Sequence, residues 1–564
     1  MDIELPSHSK DAHPNVPRPL PGPRGLPLVG SLFEYQGPQT NLKWTEMYGP
    51  VYHVRMGGRR LVYLNTIELV EKYLEGPAGE QFLNRPTGPA AFGEGLLFGS
   101  GETWRSNKQA FYRVMQSETL QRDMEDAIHT ELHITLRDFH TRAGLNGQSK
   151  IGDALLPACA NIVCGFLLGR SLPEPCQERE SLLSFAKNLE NVDLNSPVVQ
   201  LSLKYPNVVK YLRKCGFRNI VDVWETSKSI QIMLRHWIFL ARSINRSAPY
   251  HHSHHFGSLP SGLDIPGCQV IDKKIWGQGE TGGQNSPVLS NKHELMTSLH
   301  KDQVLPTASE AKLTEETRKC RTELAPPELV PKTTANISPV ATVDTTVTGR
   351  QVDTHVQPDS ILHRLLNQPE FAAGEKNQDT ELLQSLVDMF FGGVNTTLSA
   401  LEFILMYLST HPWAQILAQE EISSVLAAEA DGSENHGDTS QADIKITWSM
   451  RDRMPYVWAC VTEAQRLGCV TPSSLPHVAS VDTEIEGYPI DKGTIVLASI
   501  YSLHRDPREY LDPTEYRPHR HLDEQRNLRQ PKSYRPFGVG ELEGIKKSGR
   551  IMTGALHSTT FLEV

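Results

Sequence analysis

The chain has 564 residues, a net charge of -10 and a pI near 6.1. Its length and ordinary hydrophobicity allow an enzyme-sized core, and its acidic balance excludes a dedicated nucleic-acid binder, which would carry clustered basic surface. Small molecules are the better partner class. The eight cysteines, Cys159, Cys164, Cys176, Cys215, Cys268, Cys320, Cys460 and Cys469, show neither the close pairing of a zinc site nor the density of a disulfide scaffold, which points to a reducing compartment.

In chain order, residues 1–30 read as a polar N-terminus followed by a proline-rich stretch. MDIELPSHSKDAHPNV contains no signal-type or membrane-spanning apolar run, so any membrane attachment is expected to be peripheral or to use an anchor not seen here. PRPLPGPRGLPLVG, Pro17 to Gly30, is stiffened by proline and reads as an extended linker. From Leu42 to Met115 the β-like runs VYHVRM and RRLVYLN alternate with helical stretches, and a helix-rich region follows to about Ile244. Residues 245–357 turn to Ser, Thr, Pro, Gly and His with few aromatics, and a disordered insertion is expected there. Its His251, His252, His254 and His255 lack further ligands at structured spacing, so a solvated loop is favoured over a metal site. A long buried helix is predicted from Leu382 through Leu386, Phe390, Leu401 and Leu405 until Pro412 stops it. A polar loop near Asp431 to Ala442 then precedes a helix from Tyr456 to about Leu467. VDTEIEGYPIDKGTIVLAS reads as strands turning at Gly487 and Gly493. The fold class is mainly α with small β-sheets (α+β).

Three motifs carry chemistry. GGVNTT, Gly392 to Thr397, places two glycines and a polar cluster in an apolar helix. It marks either a close helix crossing or a groove where a flat ligand nears the backbone, with a threonine hydroxyl bonded a turn back or to that ligand. In VTEAQRL, Glu463 and Arg466 stand at i and i+3; alone, such a pair is usually a solvated contact worth about 0 to 1 kcal/mol. DPREYLDPTEYRPHRHLDE then sets Arg520 in a proline-punctuated, strandless segment, followed by PFGVG, Pro536 to Gly540.

Taken in this order, the motifs resemble those of the microsomal animal-type cytochrome P-450 family of haem-thiolate monooxygenases, from Pro21 to Gly540 apart from the polar insertions. The resemblance implies a single cytochrome P-450-type domain over 31–540, interrupted by 245–357. It further implies haem b, an apolar small-molecule substrate, and electrons from NADPH by way of NADPH-cytochrome P-450 reductase, with cytochrome b5 as a further partner. The expected location is the cytosolic face of the endoplasmic reticulum membrane, or the cytoplasm if no anchor exists. It also assigns roles: Arg85 in FLNRP, Trp104 and Lys108 on one helix, and His477 in LPH as partners of the haem propionates; Glu463, Arg466 and Arg520 as a buried structural triad; Thr396 and Asn395 as the oxygen-activating pair. Two positions depart. Lys108 stands where arginine is usual, replacing a bidentate contact by a point charge. Asn395 stands where Asp or Glu is usual, and an amide cannot ionise to relay a proton.

After PFGVG the resemblance stops. The family continues with a basic residue and the axial cysteine, whereas ELEGIKKSGRIMTG puts Leu542 and Gly544 at those places, so no metal ligand is assigned. The thiolate's electron donation favours O–O cleavage, and Cys460 and Cys469 read as core thiols beside the Glu463 helix. Residues 541–564 form a tail foreign to the family, so the domain reads as C-terminally truncated. Gly540-Glu541-Leu542 can be encoded by GGTGAGTTG, which contains a typical intron donor signal, so a retained intron or gene-model error is expected. The alternative function is a catalytically inactive truncated product.

Overall fold

Runs rich in Val, Tyr and Leu pair as antiparallel strands β1 (Val51–Met56) and β2 (Arg59–Leu64), with Val51 opposite Leu64. In this computed structural model, residues 19–27, 30–31, 33–56, 59–86, 95–146, 150–169, 171–172, 176–190, 218–247, 360–432 and 446–539 are described. The expected insertion beyond the helix Arg218–Ser247, nearly all of the Asp431–Ala442 loop, and the tail from 540 onward lie outside them. Near the other end of the chain come β3 (His477–Val478), β4 (Thr483–Ile485), β5 (Tyr488–Ile490) and β6 (Ile495–Ala498). β6, buried along its whole length, runs parallel to β2 with Leu61 opposite Ile495, giving the order β1-β2-β6-β3. β4 and β5 form a separate hairpin turning at Glu486 and Gly487. The proline-rich stretch is fixed to this sheet: His53 N donates to Pro21 O at 2.8 Å and Gly30 bridges to Met56. It extends the β1 edge.

Helices supply the main core, as expected for a mainly α fold with small sheets. The helix Ile151–Leu168 is buried on nearly every side, Cys159 and Cys164 included, and packs against the helices Glu118–Asn146 and Asn395–Thr410. Two segments, Ile151–Leu168 and Asn377–Thr410, are long and apolar enough to cross a membrane, with 72% and 50% of their apolar windows buried in the protein. For Ile151–Leu168, most of that apolar surface is packed in the core.

The single long helix expected from Leu382 to Pro412 is interrupted once. Helix Lys376–Gly393 gives way at Val394 (φ -85°, ψ -66°) to helix Asn395–Thr410, and Pro412 opens the next helix, Pro412–Gly432. The helix Pro455–Gly468 carries Glu463 and ends on Cys469 in a left-handed conformation.

Candidate functional site

Glu463 and Arg466 leave the helix Pro455–Gly468 into a site where neither has any exposed side-chain surface. Arg466 donates from Nε to Glu463 Oε2 at 2.7 Å and from NH2 to Oε1 at 2.8 Å. Its remaining N–H groups reach the carbonyls of His504, Pro513 and Glu515, so every donor of the guanidinium fork has an acceptor. Arg520 Nε lies 3.1 Å from Glu463 Oε1, while its NH groups donate to the carbonyls of Leu511, Asp512 and Glu515. The structure therefore brings the three residues together. Two partners were not anticipated. His521 Nε2 is 2.8 Å from Oε2, and Arg517 N donates to Oε1 at 2.9 Å. Burial alone would raise the Glu463 pKa, but the hydrogen bonds from Arg466 and His521 and the charge of Arg466 outweigh it and hold the carboxyl at about 2. Burial lowers the pKa of His521, so its ring is neutral and donates through Nε2–H. The network locks the Glu463 helix to the segment Pro513–His521.

At the helix interruption the two glycines have different surroundings. A Cβ on Gly393 would lie 3.2 Å from Val163 Cγ2, so this glycine permits a close crossing with the helix Ile151–Leu168. A Cβ on Gly392 would meet nothing within 4 Å. The close-crossing reading holds at Gly393, while Gly392 faces open space. The Thr396 hydroxyl donates back to Gly392 O, which diverts a helical carbonyl and leaves the oxygen's lone pairs to accept from a water or ligand. Asn395 donates from Nδ2 to Ala186 O at 2.9 Å, tying the break to the helix Gln177–Glu190. An apolar cavity of about 10 Å³ beside Asn395, lined by Phe185, Phe390 and Val394 among others, has room for about one water.

One and a half turns before the break, Asp388 is a buried carboxyl that the motif reading missed. Its Oδ2 accepts from Leu97 N at 2.8 Å, and burial pushes its pKa up to about 7 against the lowering effect of that bond. A lone carboxylate between Leu386 and Phe390 on an apolar face was the available signal.

Arg85 and His477 come together where residue 84 bridges to β3. Arg85 NH1 donates to Pro476 O at 2.6 Å and Leu475 O at 3.2 Å, and His477 Nδ1 lies 3.0 Å from Phe82 O. Arg85 is 6% exposed and has no carboxylate partner among the described residues; its Nε makes no hydrogen bond, and burial drives its pKa down to about 9. A buried cation without a counter-ion is costly. It is the environment a carboxylate ligand would relieve. Trp104 and Lys108 form a second pair on the helix Gly101–Met115, with Lys108 Nζ 5.1 Å from the indole centroid. The indole N–H expected to face a propionate instead donates to Leu96 O at 3.0 Å, because the segment before the helix folds back over the ring.

The buried Arg85, without a carboxylate partner among the described residues, fits a haem's carboxylates. The iron's thiolate has no matching residue: no cysteine follows Cys469, and Cys460 and Cys469 are core thiols whose pKa values burial raises. Among the described residues no group of three or more His, Cys, Asp or Glu could hold a metal ion.

A mainly helical scaffold with an interrupted central helix, a buried Glu-Arg-Arg network and a buried arginine without a carboxylate partner among the described residues agrees with the resemblance read from the sequence. The sequence profile of the cytochrome P-450 family matches residues 20–235 and 341–541. The chain is 22% identical over 544 residues to cytochrome P-450 2J5 of Mus musculus, covering 94% of this chain and 82% of that protein. It is 24% identical over 554 residues to cytochrome P-450 2F5 of Gorilla gorilla gorilla, covering 96% and 86%. Over a shorter stretch of 183 residues, 32% of each chain, it is 33% identical to cytochrome P-450 2U1 of Rattus norvegicus. The chain belongs to the cytochrome P-450 family, of microsomal animal type, and is by that membership a monooxygenase-class oxidoreductase. The family works with haem and generally with NADPH-cytochrome P-450 reductase.

Proposed function

We propose that this chain inserts one atom of dioxygen into an apolar small molecule, the second atom leaving as water, with electrons from NADPH delivered by the reductase and, as a further donor, by cytochrome b5. Haem b, when bound, supplies the iron at which dioxygen is activated. Arg85 and His477 hold one of its carboxylates, and Lys108 meets the other as a point charge. Thr396, whose hydrogen is committed to Gly392 O, orients a water by accepting from it. Asn395 holds the helix break to Ala186 and relays no proton. Glu463, Arg466 and Arg520 do not touch substrate in this reading; they fix the helix behind the site. Work at the cytosolic face of the endoplasmic reticulum membrane belongs to the same reading, with the cytoplasm as the alternative.

The observation that carries it is the buried guanidinium of Arg85, which has no counter-ion among the described residues. Arg85→Gln removes the charge while keeping a donor for Pro476 O. The full chain loaded with haem and passed through a desalting column is expected to retain about tenfold less haem in the variant, with the melting temperature of the haem-free protein unchanged or raised. Equal haem retention by the two proteins would remove Arg85 from the site.

A second reading, a catalytically inactive product, is favoured by one specific observation: Gly544 stands where the axial cysteine belongs.

A further inference from the structure

Away from the helix break, a cleft of about 450 Å³ opens between the helix Arg218–Ser247 and the start of the helix Lys376–Gly393. That volume lies in the range of small-molecule sites. Its floor is apolar, with Ile238 at 3% and Leu383 at 2% exposure, and Phe239, 53% exposed, forms one wall. Two arginines line it. Arg242 is clamped in place, donating from Nε to Asp379 Oδ1 at 2.9 Å and from NH2 to the same oxygen and to Phe371 O at 2.9 Å. Its NH1 makes no hydrogen bond among the described residues. NH1 lies over Gly374, where a Cβ would come within 3.2 Å of it, so the missing side chain keeps that guanidinium edge uncovered. Arg235, two helical turns before Arg242 and exposed, has no hydrogen bond or ion pair among the described residues.

The charges lining the cleft are Arg235, Arg242 and Asp379, a net of one positive. A rigidly held N–H edge and a second cation beside an apolar floor suit a singly charged oxyanion head on an apolar body. A dianion would be under-neutralised, and a neutral alcohol would leave the Arg235 charge unused. We propose that this cleft is a second ligand site, separate from the haem-facing residues, which binds amphipathic monocarboxylates: the head between Arg242 NH1 and Arg235, the apolar chain along Phe239, Ile238 and Leu383. The site does not depend on haem, so it stands or falls separately from the monooxygenase reading.

The test uses the full chain and dodecanoate carrying a photoreactive diazirine near its tail, with the labelled peptides mapped by mass spectrometry. Labelling is expected on the peptides containing Phe239 and Leu383. Arg235→Glu is expected to reduce that labelling about tenfold by charge reversal, and Phe239→Ser to reduce it by shortening the apolar wall. Both positions are exposed, so the melting temperature is expected to hold in each. The corresponding diazirine alcohol is expected to label these peptides no better than the Arg235→Glu protein does with the acid. The proposal is overturned if the label falls elsewhere, if the alcohol labels as well as the acid, or if Arg235→Glu and Phe239→Ser, both folded, label as well as the parent chain.

Discussion

Asn395 illustrates how a single side chain is tied to its surroundings. The motif alone suggests that an acidic residue here would relay protons better. However, the amide Nδ2 donates to Ala186 O, and a carboxylate at this position would set two acceptors against one carbonyl. Asn395→Asp is therefore expected to lower stability by about 1–3 kcal/mol, measured by denaturant unfolding. Where the protein turns over, the variant should raise the fraction of NADPH electrons that reach product. Unchanged stability would show that the Ala186 contact is dispensable, and unchanged coupling would mean that an acidic residue at position 395 plays no part in proton delivery. Trp104 gives the complementary lesson. Its place on an amphipathic helix was legible in the sequence, but the acceptor of its N–H was not, because Leu96 O is brought to it by a loop with no periodic pattern.

At the scale of elements, the Glu463 helix is the part most securely bound to its neighbours. Glu463→Gln would leave Arg466 charged, fully buried and short of its carboxylate, which costs about 3–5 kcal/mol when one partner of a buried pair is removed. The pH dependence has a definite sign. The folded-state pKa of about 2 lies below the ordinary 4.5, so Glu463 contributes stability that is fully present above about 4.5 and is lost as pH falls toward 2. Acid titration followed by circular dichroism should show a shallower loss in that window for Glu463→Gln than for the parent chain; equal slopes would mean that the carboxyl is not held low. The i, i+3 spacing of Glu463 and Arg466 means little alone; it was the resemblance of EAQR and YRPHRHL to family motifs that linked them with Arg520. His521 was not legible, since a single histidine beside an arginine carries no spacing signal and its partner lies 58 positions away. The interruption at Val394 was half legible: the glycines marked it, but only the packing distinguishes Gly393 at a crossing from Gly392 facing open space. The β2–β6 pairing was not legible either, because a parallel register between distant segments leaves no local trace.

For the whole molecule, the family profile and the residue-level resemblance end together, at residue 541 and Gly540 respectively. The scaffold before that point holds a buried arginine without a carboxylate partner among the described residues, a threonine hydroxyl at a helix break and a locked supporting helix. The sequence after it supplies no thiol. In the reading proposed above, this cytochrome P-450 scaffold would hold a haem carboxylate at Arg85, while Gly544 stands where the axial cysteine belongs. The most direct measurement is the carbon-monoxide difference spectrum of the reduced, haem-loaded full chain, beside Gly544→Cys. A thiolate ligand moves the Soret band far to the red. The band is expected to stay unshifted in the parent chain and to gain a red-shifted component in Gly544→Cys. A fully red-shifted band in the parent chain would mean that a cysteine already reaches the iron and would contradict the account.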